Sequence, residues 1–477
     1  GLVGSEMCIR DSTHTARRNM HQRDPSKSIA WLCCADNSQW CDSVKERSCF
    51  ATYRNKFFYK NIIFYSSTQK HCADAPELCR RNLDISIMEV TTINNIVVKN
   101  WATGLDQHAV QEVENLCKLP FVFKHIALMP DAHGGKGMPI GGVLATKGVV
   151  VPNAVGVDIG CGMCAVKTNV KVADITQEVL RKKILRGIRK QIPLGRAHHK
   201  IAQPEEFMPQ GHNLEATVVV ARQQMSAMKQ IGTLGGGNHF IELQRDEEGN
   251  LWIMIHSGSR NLGKQVGDYY NEKAEALNRR WFSSVPSEIQ LPFLPMRTDE
   301  FRQYWAEMSY CIDFALANRR LMMQRIQEVI GEVMPGTEFE PMINIAHNYA
   351  AFENHFGEDV IVHRKGATLA REGAVGIIPG SQGTCSYITE GLGNPESFMS
   401  CSHGAGRRLS RSEAVNTLSM ESEIAMLERQ GIVHSIRTKT DLEEAAGAYK
   451  NIDEVMEAQS DLVKIRTKLM PIAVIKG

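Results

Sequence analysis

From residue 88 onward the apolar segments of this chain are short, and most run into a glycine-rich turn carrying a histidine, an aspartate, a cysteine or an arginine. Strands and helices do not alternate regularly, and no internal repeat or linker divides the body. The pattern favours a complex mixed α+β fold, one large domain, over a doubly wound sheet. The periodicity predicts strands over 90–98, 121–128, 149–151, 251–255, 360–362 and 375–378. It predicts helices over 106–118, 175–190, 215–230, 300–330 and 413–428.

Residues 1–87 differ from this body. They hold 13 of the basic and 9 of the acidic side chains and seven of the 13 cysteines. They mix Arg, Asn, Ser and Cys without sustained periodicity, and the first residue is Gly1 rather than Met. They read as a disordered, targeting or non-native extension, with the catalytic domain spanning 88–477. The body carries 42 basic and 44 acidic residues, so any nucleic-acid contact must rest on local positive potential. The most apolar stretch, 57–65, is short and interrupted by Lys60 and Asn61. It cannot span a membrane. No secretory signal is visible, so a cytoplasmic protein with reduced thiols is expected.

Six motifs carry residues suited to chemistry. Asp131 and His133 follow an apolar strand in PDAHGGKG and then enter a glycine loop; an Asp-capped turn explains them as well. Asp158 and Cys161 lie three apart on a tight turn in GVDIGCG, where both can face one ion and a thiolate can bridge two. A Cys161/Cys164 redox or zinc pair competes, but no second CxxC completes it. The triple glycine before Asn238, His239 and Glu242 allows close backbone approach to a phosphate. His256 ends an apolar strand, and His347 precedes an asparagine. A single buried histidine is usually a core residue; three, with an Asp and a Cys beside turns, favour a shared metal site. His403 stands between small residues, open to a bulky electrophile, with Arg407 and Arg408 after it to neutralise phosphate. The loops 363–368 and 379–384 offer cations, hydroxyls and free backbone N–H groups for a nucleotide. The basic run 181–200 fits an RNA backbone or a solvated helix face equally.

Taken in order, PDAHGGKG, GVDIGCG, GGGNHFIE, HSGSR, AHN, HRKGAT, PGSQGT, SHGAGR, AYK and the terminal IAVIKG resemble the RtcB family of RNA-splicing ligases over 88–477. The resemblance implies two Mn²⁺ ions on Asp158, Cys161, His239, His256 and His347, with Cys161 bridging. It implies that His403 is guanylylated by GTP and that Asp131 orients it. Asn238 would contact the nucleotide phosphate, Glu242 and Lys476 the guanine edge, and Tyr449 would pack on the nucleotide. Ser381, Gly404, Ala405, Gly406 and Arg407 would line the same pocket. The implied substrates are RNA ends with a 3′-phosphate or 2′,3′-cyclic phosphate and a 5′-hydroxyl, such as tRNA halves. An activating protein partner and the oligomeric state are left open. A metal phosphoesterase without guanylylation, and a non-catalytic RNA-binding protein with a structural zinc, are the competing readings. A covalent GMP adduct separates the first, and turnover the second.

Overall fold

Asn94 and Asn95 both adopt positive φ, 49° and 64°, so the segment expected as one strand folds as a hairpin, Glu89–Ile93 against Ile96–Asn100. Asparagine tolerates this left-handed turn, which matches the twist of the paired strands. The computed structural model describes residues 88–477; the reading of residues 1–87 as an extension lies outside them. The described residues fall within one compact unit and form a single mixed α+β domain. No helix among them is long and apolar enough to cross a membrane.

Two sheets organise the domain. The first has six strands in the order Glu89–Ile93, Ile96–Asn100, Val122–Lys136, Met138–Thr146, Glu358–Lys365, Asn348–His355. The second has seven: Ile343–Ala346, Gly162–Lys171, Asn250–Ser257, Phe240–Arg245, Val463–Lys476, Ser386–Gly391, Val375–Ile378. Its strands are antiparallel, and strand periodicity decides which residues meet. Leu251, Ile253 and Ile255 pack with Cys164, Ile241, Leu243 and Ile475 beneath the Asp299–Val333 helix. Trp252, Met254 and Met163 face the other way. By the same alternation Cys161, Glu242, His256, His347 and Lys476 belong to that second face. Cys164 falls on the helix side, which removes it from any pairing with Cys161. All six cysteines among the described residues are free thiols.

Helix ends depart from the sequence expectation where tertiary contacts supply the caps. The 215–230 segment starts as a single 3-10 turn, Leu214–Ala216, and its α-helix runs Val219–Gln230. Buried Glu307 accepts the backbone N–H groups of Val218, Val219 and Val220 at 2.6–2.9 Å, doing from a distant helix what an N-cap does locally. The 175–190 segment is a π-helix, Val179–Leu185, running into an α-helix, Arg186–Gln191. The 413–428 segment breaks at Leu418–Ser419 into Arg411–Thr417 and Met420–Arg429, because Ser419 caps the second helix through Ser422 N.

Two expected loops are strand. Pro130–Lys136 belongs to the Val122–Lys136 strand, whose pairing jumps from Leu128–Gly142 to His133–Ile140. The intervening residues bulge, as Pro130 has no N–H for a ladder. His363, Arg364 and Lys365 end the Glu358–Lys365 strand and are buried. Arg364 is fully buried and forms a forked ion pair with Glu353, one arm at 3.1 Å, while donating to Phe398 O at 2.9 Å. Lys365 donates to Lys136 O and Asn153 O at 2.7 and 3.2 Å, and burial lowers the His363 imidazole to about 4, so the three are engaged within the fold rather than offered on an open loop, contrary to the sequence reading. Removing one partner of the Arg364–Glu353 pair strands the other charge. Glu353→Ala is expected to lower unfolding stability by about 3–5 kcal/mol in urea denaturation. A loss below ~1 kcal/mol would show that the pair is dispensable.

Candidate active site

The side chains expected to ligate metal converge from four strand ends. Cys161 Sγ lies 3.4 Å from His239 Nε2 and 3.3 Å from His256 Nε2. His239 Nε2 is 3.1 Å from Asp158 Oδ2, and His256 Nε2 is 3.4 Å from His347 Nε2. Two three-ligand groups result, Asp158–Cys161–His239 and Cys161–His256–His347, with Cys161 common to both. His256 Nδ1–H donates to Asn238 O at 3.2 Å, so its Nε2 presents a lone pair toward a thiol and another imidazole. Burial keeps the His256 and His347 imidazoles well below their ordinary range; neutral imidazole is the ligating form. Burial and the Asp158 carboxylate push the Cys161 thiol well above its usual value, and a cation at the sulfur reverses that. Buried His239 Nδ1 and His347 Nδ1 have no hydrogen-bond partner, and the two ligand groups converge on Cys161 with neutral imidazoles, a donor set that fits a cation on each side of Cys161.

A fully buried arginine holds this arrangement. Arg319 donates to Gly160 O at 3.0 Å, Ser257 O at 2.7 Å and Ile345 O at 3.2 Å. Those carbonyls belong to the segments bearing Cys161, His256 and His347. Nothing in the helical run 300–330 distinguishes Arg319 from a surface cation, and only the tertiary structure reveals its role.

His403 follows the short Ser400–Ser402 strand, with its ring 4.8 Å from that of His347. Asp131, fully buried at the bulge, reaches His403 Nδ1 at 2.6 Å and accepts from His403 N and Gly404 N at 3.0 and 3.2 Å. Burial works to raise the Asp131 carboxyl, but His403 and the charges around it hold it below the usual carboxylate range. With Nδ1–H donated to Asp131, Nε2 carries the free lone pair. Two glycines make room. A Cβ on Gly406, φ +72°, would lie 2.2 Å from Asp131 O, and one on Gly366 would lie 3.1 Å from His403 Cε1.

Beside His403 opens a cavity of about 620 Å³. It is lined by Asn238, Glu242, Ser381, Arg407, Tyr449 and Lys476, together with the backbone of Gly404, Ala405 and Gly406. His256 also reaches it, whereas Asp131, Asp158, Cys161, His239 and His347 lie behind its wall. Glu242 is buried; desolvation raises its carboxyl to about 8, against the pull of Gln244 and Lys476. The sequence reading missed Glu444. It accepts from Tyr449 OH, and Arg407, Arg411 and Lys476 approach at 3.3, 3.2 and 3.9 Å. Burial opposes ionisation of Glu444, but Lys476, the Tyr449 hydroxyl and the two arginines hold it below the carboxylate range. An acidic residue in a short polar run gives no sequence signal of this kind.

The arrangement unites a tethered imidazole, five side chains that could hold metal and a cationic cavity with a buried carboxylate. Comparisons with known proteins place the chain among known sequences. A family model described as tRNA-splicing ligase RtcB matches residues 112–477. An RNA-splicing ligase RtcB of Escherichia coli K12 is 39% identical over 411 residues, covering 82% of this chain and 99% of that protein. A tRNA-splicing ligase RtcB of Thermococcus kodakarensis is 30% identical over 440 residues, with 77% and 91% covered. An RNA-splicing ligase RtcB of Mycobacterium tuberculosis is 32% identical over 437 residues, with 77% and 100% covered.

Proposed function

Because this chain belongs to the RtcB family, we propose that it is an RNA ligase, with 88–477 as its catalytic domain, that joins a 3′-phosphate or 2′,3′-cyclic phosphate end to a 5′-hydroxyl end using GTP. Cleaved tRNA halves and broken RNA are the substrates that chemistry suits. The observation carrying this reading is the 2.6 Å contact of His403 Nδ1 with buried Asp131 beside the metal-ligand set. A structural metal site has no use for such a tethered imidazole; a phosphoesterase can use one as acid, base or nucleophile, and a stable GMP adduct is what separates that reading.

Asp158, Cys161, His239, His256 and His347 would hold two Mn²⁺ ions, which supply charge neutralisation for phosphoryl transfer. His403 Nε2 attacks the α-phosphorus of GTP; the Nε2–P bond forms, the bond to the β-phosphate oxygen breaks, and pyrophosphate leaves. Asp131 keeps the proton on Nδ1 and stabilises the positive ring as it develops. A 2′,3′-cyclic end is first opened by water to a 3′-phosphate. An oxygen of that phosphate then takes the GMP from His403, which regains its lone pair. The 5′-hydroxyl of the second RNA attacks the 3′-phosphorus, and GMP departs as the phosphodiester forms. Arg407 faces the phosphates, while Asn238, Ser381 and the 404–406 backbone offer hydrogen-bond groups around them. Tyr449 is the packing surface for the nucleotide. Incubation with labelled GTP and Mn²⁺, followed by adduct mapping and ligation of 3′-phosphate to 5′-hydroxyl RNA, tests the reading; no adduct on His403 overturns it.

Guanine choice falls to Glu242 and Lys476. A carboxylate accepts guanine N1–H and N2–H₂ together, whereas adenine turns an acceptor toward it. A buried charged hydrogen-bond set left unmade costs on the order of 2–4 kcal/mol, or roughly 30- to 1000-fold for GTP over ATP. The Glu242 carboxyl titrates at about 8, so below that pH it is neutral in the free site and guanine must draw it into the charged form. The GTP preference is therefore expected to rise with pH up to about 8 and then level off. Glu242→Gln should flatten this rise and narrow the GTP/ATP ratio with metal content unchanged. Adduct formation with each nucleotide across pH measures it; an unaltered ratio in the variant removes Glu242 from base reading.

A further inference from the structure

Along the helical segment 179–191, Arg181, Lys182, Lys183, Arg186, Arg189 and Lys190 are all exposed, while Leu180, Ile184, Leu185 and Ile188 are buried. Some surface cations on other helices of the domain find acidic neighbours, as Lys264 does in Asp268, Arg279 in Glu275 and Arg302 in Asp299. Among the described residues, only Lys182 of the six does so, with Glu178 at 3.1 Å. Arg181 instead donates to Gln177 Oε1, and Arg189 to Ser435 Oγ at 3.4 Å. That serine brings a second segment alongside, carrying His434 and Arg437. Burial first, then Arg437, lowers the Arg189 guanidinium. Burial, Arg437 and Arg181 lower His434, with Glu428 acting in opposition. Asp441, the carboxylate beside Arg437, is spent on the backbone N–H groups of Arg437 and Thr438 at 2.8 and 2.7 Å. Like charges from two distant segments are thus held close together, with Glu428 offsetting them only in part, an arrangement that costs free energy until a ligand supplies further anions.

The cluster adjoins the cavity wall. Ser435 Oγ donates to Val474 O at 3.0 Å, and Val474 lines the cavity. The same helical segment leads into Pro193 and Gly195, which bond Leu234 N and Gly235 O at 3.0 and 3.1 Å, at the glycine loop before Asn238. The basic surface is thus joined by hydrogen bonds to the cavity wall at Val474 and to the glycine loop before Asn238.

We propose that Arg181, Arg186, Arg189 and Arg437 form a track for the phosphate backbone of the RNA substrate, several nucleotides away from the reacting end. This rests on the ligase reading above, and the test separates the two. The full chain carrying Arg→Gln at all four positions is compared with wild type for binding of a short oligonucleotide and of an RNA several tens of nucleotides long. GMP-adduct formation is measured alongside, since it precedes RNA entry. The dissociation constant for the long RNA is expected to rise roughly tenfold or more, and the salt slope of its logarithm to fall by about 3. Short-oligonucleotide binding and the adduct stay at wild-type levels. Arg437→Gln alone, from the second segment, should lower the slope by about 1. Unchanged long-RNA binding overturns the track, as does an equal loss for short and long RNA. Preferential loss of binding to an acidic protein surface, with RNA binding intact, would assign the patch to a protein partner and overturn it as well. If wild type forms no GMP adduct, the ligase reading fails by itself, while the binding comparison still decides the track.

Discussion

His403→Ala is expected to abolish the GMP adduct and ligation while the protein stays folded and keeps its metals. His403 is partly exposed and follows a three-residue strand, so its loss opens the cavity rather than the core. Asp131 keeps two backbone donors, His403 N and Gly404 N. Asp131→Asn tests the other half of the tether. All three bonds fall on Asp131 Oδ2; an amide brings no charge to stabilise the ring as it becomes positive and accepts the Nδ1–H more weakly, so the ring is held less firmly in its tautomer. A triad aspartate changed in this way costs roughly 10⁴-fold in rate, and a loss of similar order in adduct formation is expected. Acid-labile GMP adduct at wild-type level on His403→Ala would move the nucleophile elsewhere. Labelling of His256 instead would also remove that residue from the metal set.

Cys161→Ala is expected to lose metal at both positions, because its sulfur is the one atom shared by the two ligand groups. His347→Ala removes a ligand from one group only, so it should lower metal content by about half as much. Both should lose the adduct, the cysteine variant completely, because phosphoryl transfer relies on charge neutralisation. The soft thiolate beside the hard Asp158 carboxylate also admits Zn²⁺, which is expected to bind and inhibit where Mn²⁺ activates. Metal analysis of the purified variants, with adduct assays in metal-buffered solution, measures both effects. Full activity of Cys161→Ala would refute the bridging role.

Much of the site is legible in the residue types and their order along the chain. Turn-flanked His, Asp and Cys residues mark places where a chain exposes chemistry at strand ends, and ten such motifs in one order carry a family resemblance. The apolar run Ile472 to Ile475 before Lys476 is readable as a strand, and it forms the end of the strand Val463–Lys476. What the residues do not supply is partnership across distance. Local pattern places His363, Arg364 and Lys365 before a glycine, as it does other loop cations. Only packing reveals that Arg364 is sealed against Glu353, since burial is a property of the assembled sheet. The same holds for Arg319, whose three carbonyl partners lie in three separate segments, and for Glu444, whose cations come from as far as Lys476. Residue type and local periodicity therefore marked the candidate groups and the strand face they share. The fold alone decided which charges are neutralised, buried or left open, because electrostatic energy depends on distances that chain order does not encode.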